Sequence, residues 1–292
     1  MNNAAPTWVI KTVAQAKRGL DKKGIEQTND LLSRLNLSTV CESAGCPNRG
    51  ECFSQRTATF LILGEVCTRR CSFCAVKHGR PPRPPDDREP ERLTQAVSEL
   101  GLSHVVVTSV TRDDLPDGGA GHYARVVAAL HQRLPRVRVE LLIPDFSGSL
   151  NALEKVLAEQ PDILAHNMET VPRIYSQVRP GADYARSLAV LRKAKQLSPK
   201  IITKSGFMAG LGENDREIGG LLIDILAAGC EMLTIGQYLS PSLAHRPVAR
   251  YLESDEFDTW REKALALGFK SVAAGTLVRS SYKAPIFFKE LG

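Results

Sequence analysis

Six of the seven cysteines in this chain fall inside 34 residues, as two triplets: Cys41, Cys46 and Cys52, then Cys67, Cys71 and Cys74. The total is odd and no apolar leader precedes the triplets, so metal-binding thiolates are a better account than disulfides. In Cys67-x3-Cys71-x2-Cys74, three thiolates match three irons of a cuboidal [4Fe–4S] cluster and leave the fourth iron open for chemistry. Spacing alone leaves structural zinc as an equal alternative, with His78 as a fourth ligand. Phe73, beside the last cysteine, would shield such a group. The earlier triplet, Cys41-x4-Cys46-x5-Cys52, has no histidine near it. Six thiolates overfill one four-coordinate ion, so two separate sites are the simpler reading. Cys230 fits neither spacing and reads as a small core residue.

The elements that would position these residues alternate regularly. A buried strand, Thr59–Val66, runs directly into Cys67. Gly79–Asp87 (GRPPRPPDD) has too many prolines for a helix interior or a central strand and reads as a stiff, extended loop. Helices follow at Glu89–Leu100, His122–Leu134, Leu150–Ala158, Tyr184–Leu197, Asp215–Ala228 and Glu256–Leu267. Between them lie strands at His104–Val110, Val137–Ile143, Ile163–His166, Lys200–Lys204 and Met232–Ile235, with an extended end at Phe269–Ala273. Ahead of all these, residues 1–56 show one amphipathic helix, Ile25–Leu37, and no clear strand.

Such alternation implies right-handed βαβ units and a parallel sheet, six units in all. Polar residues gather after the strands: Thr108–Asp114, Pro144-Asp145-Phe146, Asn167–Thr170, Lys204–Gly206 and Gly236–Tyr238. In barrel-type α/β folds that end of the strands carries the active site. No G-x-G-x-x-G follows a first strand, which disfavours an open dinucleotide-binding sheet. The fold expected is α/β, a partial (β/α)6 TIM-like barrel over residues 57–274. A cysteine-rich extension, 1–56, precedes it and a short tail, 275–292, follows.

Composition narrows the function classes. With 292 residues, 43% hydrophobic and 24% charged, the chain can bury a large core and is not intrinsically disordered. No apolar run reaches the ~18 residues of a membrane span, and a cytoplasmic location without membrane association is expected. The net charge of +6 is modest. A basic rim would suit an acidic protein partner. Nucleic acid is not expected, since aromatics are 6% and no nucleic-acid-binding signature is present.

The Cys-x3-Cys-x-aromatic-Cys pattern resembles the radical S-adenosylmethionine (SAM) enzymes, and the resemblance narrows to the lipoyl synthase family from about Cys41 to Tyr282. It is carried by CESAGCPNRGEC (41–52), EVCTRRCSFCAV (65–76), VVVTSVTRDDLPDGGA (105–120), HNMETVPRIYSQVRPGADY (166–184), KSGFMAGLGE (204–213), EMLTIGQYLSPS (231–242) and RSSY (279–282). One departure is Ala274-Gly275-Thr276, where that family usually shows Ser-Gly-Pro.

The resemblance implies insertion of two sulfur atoms at C6 and C8 of an octanoyl chain on a carrier-protein lysine. It implies SAM and two [4Fe–4S] clusters as cofactors. Cys67, Cys71 and Cys74 would hold the SAM-cleaving cluster. Cys41, Cys46 and Cys52 would hold an auxiliary, sulfur-donating cluster with Ser281 as fourth ligand, or Ser280 in its place. Oxygen matches cluster iron less well than thiolate and so can leave when that cluster opens. Thr108 and Ser109 would contact the SAM amino group, Asn167 and Glu169 its ribose, and Lys204 or Arg179 its carboxylate. Expected partners are octanoylated lipoyl-carrier proteins, namely the glycine cleavage H protein and the E2 lipoyl domains of 2-oxoacid dehydrogenases. A ferredoxin or flavodoxin would donate electrons.

Overall fold

The computed structural model describes residues 5–289. The chain divides into two compact units: Ala14–Arg69 with Ala75–Leu164, and Met1–Val13 with Arg70–Cys74 and Ala165–Gly292.

α1 (Thr7–Gln15) runs through the division at Val13–Ala14, and in the first unit α2 (Lys22–Arg34) begins behind an Asp21 cap whose carboxylate accepts from the Lys23 N–H at 3.0 Å. Strand β1 (Ser38–Thr39) and two short helices, α3 (Val40–Ser43) and α4 (Arg49–Ser54), complete the segment before the first long strand. These elements were not expected, because helices of four and six residues are too short to show a 3.6-residue period. β1 pairs antiparallel with β2 (Thr59–Ile62). β2, β3 (His104–Ser109) and β4 (Arg138–Leu142) then pair in parallel, in chain order. All four residues of β2 are buried, as a strand covered on both faces must be. Helices α5 (Glu89–Leu100), α6 (Ala120–Arg133) and α7 (Leu150–Ala158) each follow a strand, with α5 closed by Gly101 in the left-handed conformation.

β2 is shorter than the apolar run predicts. Leu63 has a positive φ of 70° and turns the chain out of the sheet. Its N–H donates to Glu89 at 3.0 Å and its carbonyl accepts from Arg112 at 3.1 Å, so side chains replace the sheet partners it gives up. His122 Nε2 lies 2.6 Å from the same Glu89 carboxylate, which joins α5 and α6 to this turn.

β5 (Ile163–Ala165) spans the division between the units. In the second unit, β6 (Ile202–Ala209), β7 (Met232–Gln237) and β8 (Ser271–Gly275) are parallel and in chain order. Helices α8 (Tyr175–Val178), α9 (Tyr184–Leu197), α10 (Asp215–Ala227), α11 (Ser254–Leu267) and α12 (Ala284–Lys289) accompany them. α10 opens with a capping box in which Asn214 and Glu217 satisfy each other's backbone N–H. Its Leu221 and Leu222 face join Leu191, Phe207, Leu233 and Trp260 in the core. The six β/α units predicted from the alternation are present, β2–α5 through β7–α11. The proline-rich run 79–87 contains neither helix nor strand.

Lys204 and Gly206 lie within β6 and not beyond it, because this strand extends to Ala209. The Lys-Ser-Gly sequence disfavours a strand on propensity. Here the register with β7 overrides it, and Gly206 lets the backbone pass where a β-carbon would collide with Thr234 Oγ1.

Glu231, just before β7, binds Lys195 at 2.7 Å and Lys270 at 2.5 Å. Partial burial pushes its carboxyl up, but the two ammonium groups more than offset this and hold it below the usual range. A lowered folded-state pKa stabilises above the unfolded value of about 4.3, and that stabilisation disappears as pH falls through the folded value. Glu231→Gln is therefore expected to be less stable than the parent at pH 7 in denaturant titrations. The difference should shrink steadily below about pH 4.

Candidate functional site

The first triplet is held by the packing of α2 on α4. Gly24 permits that approach, since a β-carbon there would lie 2.6 Å from the Ser54 carbonyl oxygen. Thr28 Oγ1 lies 2.8 Å from the Gly24 carbonyl and 3.0 Å from that of fully buried Phe53. Arg49 covers the Phe53 ring at 5.2 Å and reaches Asn29 and Glu42 at 3.0 and 2.8 Å. Cys41 lies on α3, Cys46 in the turn after it and Cys52 on α4. The Cys46 N–H bonds the Cys41 carbonyl at 3.0 Å and the Cys52 N–H bonds that of Asn48 at 2.9 Å. Burial pushes the Cys41 thiol up to about 11.

Cys67 follows the Leu63 turn. Its backbone pairs with the segment at Lys77–Gly79, at 2.8 and 2.9 Å, forming a short parallel bridge with His78. Its Sγ accepts from the backbone N–H of Thr111 at 3.3 Å and of Arg69 at 3.5 Å. Arg69 itself is buried, with its guanidinium on Asp113 and Asp145. In the second unit, Cys71 and Cys74 are joined by a turn of 3.1 Å. Ser72 N–H meets the Val178 carbonyl at 2.9 Å, and the Ser72 carbonyl accepts from Arg246 at 2.9 Å. Phe73 packs partly buried against the second unit's core.

None of the six triplet cysteines is in a disulfide. Among the described residues, no three His, Cys, Asp or Glu side chains converge on a single metal ion. A cubane differs from a zinc site in spreading its thiolates over different irons. The donor set, three soft sulfurs per site with N–H bonds already directed at one of them, fits iron–sulfur ligation.

At the end of β3, the Thr108 hydroxyl donates to the Leu142 carbonyl at 3.0 Å. Ser109 Oγ is buried beside the Tyr123 hydroxyl. In the second unit, Asn167 and Glu169 follow β5, and Glu169 has a positive φ of 66° while bridging Phe207. Asn167 Nδ2 donates to Ser280 Oγ at 2.6 Å, and Asn167 Oδ1 is buried without a partner. Arg179 donates to the Asn167 carbonyl at 2.7 Å and the Tyr175 hydroxyl at 2.6 Å, and its Nε is likewise unpartnered. Burial pushes the Glu169 carboxyl up, against the opposing charges of Arg179 and Arg279. Lys204, in contrast, is the third of eight residues in β6 and is buried.

The tail carrying Ser280 and Ser281 is seated on β7. Gly236 lies under Val278, where a β-carbon would collide with the Val278 carbonyl oxygen. Tyr282 N–H closes a turn onto the Arg279 carbonyl at 3.0 Å and Ala284 N–H one onto that of Ser281 at 3.3 Å. Cys230 is buried, with its Sγ 3.3 Å from the Met232 carbonyl, as expected of a core residue. Gly236, expected just after a strand ending at Ile235, lies inside β7, which runs to Gln237, and its seating of the tail was not foreseen, nor was the burial of the Arg69 guanidinium. Nothing in a one-dimensional pattern marks which of several arginines is buried.

Residues 61–225 match the family model of the radical SAM superfamily, more than half of the chain. Among solved structures, a maturase of the [FeFe]-hydrogenase (HydG) matches with a TM-score of 0.61 at 14% identity, covering 98% of this chain and 70% of that one. Methylornithine synthase (PylB) matches at 0.52 and 17% identity, over 82% of this chain and 66% of that one. These likenesses carry the fold. Sequence relatives are much nearer. The lipoyl synthase of Trichlorobacter lovleyi is 54% identical over 96% of both chains. That of Caldanaerobacter subterraneus is 54% identical over 87% of this chain and 89% of its own. With such identity over most of both chains, the chain belongs to the lipoyl synthase family of the radical SAM superfamily.

Proposed function

We propose that this enzyme inserts sulfur at C6 and C8 of an octanoyl-lysine on a lipoyl-carrier protein, producing the lipoyl group in place. The observation that carries the reading is the coexistence of two separately built cysteine triplets and a seated serine tail in one chain of this family. Cys67, Cys71 and Cys74 are proposed as ligands of the SAM-cleaving cluster. Cys41, Cys46, Cys52 and Ser281 are proposed as ligands of the auxiliary cluster. When bound, these groups supply the electron that splits SAM into methionine and a 5′-deoxyadenosyl radical, and the sulfur that is inserted.

The chain's own residues then bind and orient. Backbone N–H groups of Thr111 and Arg69 hold the Cys67 sulfur in place. Ser109 is proposed to receive the SAM amino group, with Thr108 shaping that strand end while its hydroxyl remains on Leu142. Asn167 and Glu169 are proposed to hold the ribose. Arg179 is the better-placed cation for the SAM carboxylate, since it lies against Asn167 while Lys204 is buried within β6. Asn167 engages the Ser280 hydroxyl, which supports Ser281 as the cluster ligand. Carriers of the glycine cleavage H type and E2 lipoyl domains, a ferredoxin or flavodoxin donor, and a cytoplasmic location complete the reading. So does a domain division into extension 1–56, barrel 57–274 and tail 275–292. No helix among the described residues is long and apolar enough to cross a membrane.

Anaerobic reconstitution should give about eight irons per chain, from two four-iron clusters. With SAM, dithionite and an octanoyl-lysine peptide, 5′-deoxyadenosine and a dithiolated peptide are expected by mass spectrometry. SAM cleavage without thiolated peptide would discard this substrate, and zinc in place of iron would discard the radical chemistry. Ser281→Cys should still release 5′-deoxyadenosine while losing the thiolated product, because a thiolate does not leave cluster iron as readily as an alkoxide. Undiminished product would remove Ser281 from the ligand set. Gly236→Ala should unseat Val278 and lower sulfur insertion about tenfold or more, with SAM cleavage changed less than twofold, as a misplaced positioning group does. Equal losses in both steps would contradict that role.

A further inference from the structure

We propose that Arg69 is a positioning residue for the SAM-cleaving cluster, tying the Cys67 end of the cysteine loop to the ends of β3 and β4 through Asp113, Asp145 and Ser147. The inference rests on the reading of Cys67, Cys71 and Cys74 as cluster ligands.

The side chain of Arg69 is 7% exposed and that of Asp145 fully buried. Arg69 Nε and Nη2 each meet Asp113 at 2.8 Å, one carboxylate oxygen apiece. Nη2 also meets Asp145 Oδ1 at 2.7 Å. Ser147 closes the group, its hydroxyl 3.2 Å from Asp113 and its N–H on Asp145 at 3.1 Å. Beside this pair the backbones interlock. The Thr68 N–H and hydroxyl both reach the Thr111 carbonyl at 3.0 Å, and the Asp113 N–H reaches the Thr68 hydroxyl at 3.1 Å.

Residues 67–69 and 111–113 are thus fastened at both backbone and side-chain level, and the two N–H groups aimed at Cys67 Sγ belong to these same segments. Asp113 and Asp145 lie in the strand-end runs TSVTRDD and PDF, whose acidic residues the proposed chemistry otherwise leaves without a role. The planar guanidinium fork meets Asp113 with two parallel bonds and still places a donor on Asp145. A lysine ammonium has no such fork and would lose the bidentate geometry. Burial by itself would draw the Asp113 carboxyl upward, yet the Arg69 hydrogen bonds and charge hold it below the usual range. Groups that orient a metal's ligands from outside the ligand shell typically change metal retention by 10–100-fold. Hydrogen bonds to ligand sulfur also set cluster potential.

The test uses two full-length backgrounds that each keep one triplet. One carries Cys41→Ser, Cys46→Ser and Cys52→Ser; the other carries Cys67→Ser, Cys71→Ser and Cys74→Ser. Arg69→Lys and Asp113→Asn are introduced into both, and iron is counted before and after a timed chelator challenge. The reduced-cluster EPR spectrum and 5′-deoxyadenosine formation are recorded in the first background. In that background both variants are expected to lose iron about tenfold faster or more, with a changed spectrum and tenfold slower SAM cleavage. In the second background iron retention should be unchanged. Retention and spectrum unchanged in the first background would overturn the proposal, as would equal iron loss in both, which is the mark of general unfolding. If the first background holds no iron even with Arg69 present, the ligand reading itself fails and the inference falls with it.

Discussion

A parallel strand that stops in the interior must transfer its backbone hydrogen bonds to something else, and the end of β2 depends on how that is done. Leu63 leaves the sheet with a positive φ, and its N–H and carbonyl are taken by Glu89 and Arg112. Because those partners are side chains anchored by α5, α6 and the β3 end, the exit direction of the chain is set by the core. Cys67 follows four residues later with its own backbone paired to the segment at Lys77–Gly79. The cysteine-bearing loop therefore starts from a fixed point even though it contains no regular secondary structure.

Charge inside the first unit follows the same logic. Arg69 with Asp113 and Asp145, Arg112 with Asp114, and His122 with Glu89 are all strand-end or helix-start pairs. Buried pairs of this type are not an efficient source of stability, because desolvation offsets most of the attraction. Their value is directional, since each has one low-energy geometry and leaving either partner unpaired is strongly unfavourable. A site that must hold a redox cluster beside a cofactor gains more from such restraint than from apolar packing, which fixes volume but not orientation.

In the second unit the restraint is steric. Gly206 and Gly236 bring β6 and β7 close to Thr234 and to the tail at Val278. Asn167 then reaches Ser280. A strand-end amide and a tail serine 113 residues apart meet because two glycines remove the atoms that would separate them. The oxygen of the same Asn167 is buried without a hydrogen-bond partner.

The candidate donors were legible from the sequence, whereas spacing left iron and zinc equal and the family resemblance chose between them. Three thiols at Cys-x3-Cys-x2-Cys spacing, a second triplet and a serine-bearing tail are local properties of the chain. So is the β/α alternation, because parallel strands buried on both faces must be continuously apolar and their crossover helices amphipathic. Tertiary structure decided where the strands stop. Apolar runs predicted β2 to reach Val66, and weak propensity ended β6 at Lys204. In fact Leu63 is diverted by side-chain partners, and β6 runs to Ala209 because β7 supplies its register. Only the folded chain could show that Arg69 is buried, that Ser280 is bound by Asn167 and that Gly236 seats the tail. Each of these depends on atoms brought together from distant segments, and spacing along the chain carries no information about such distances.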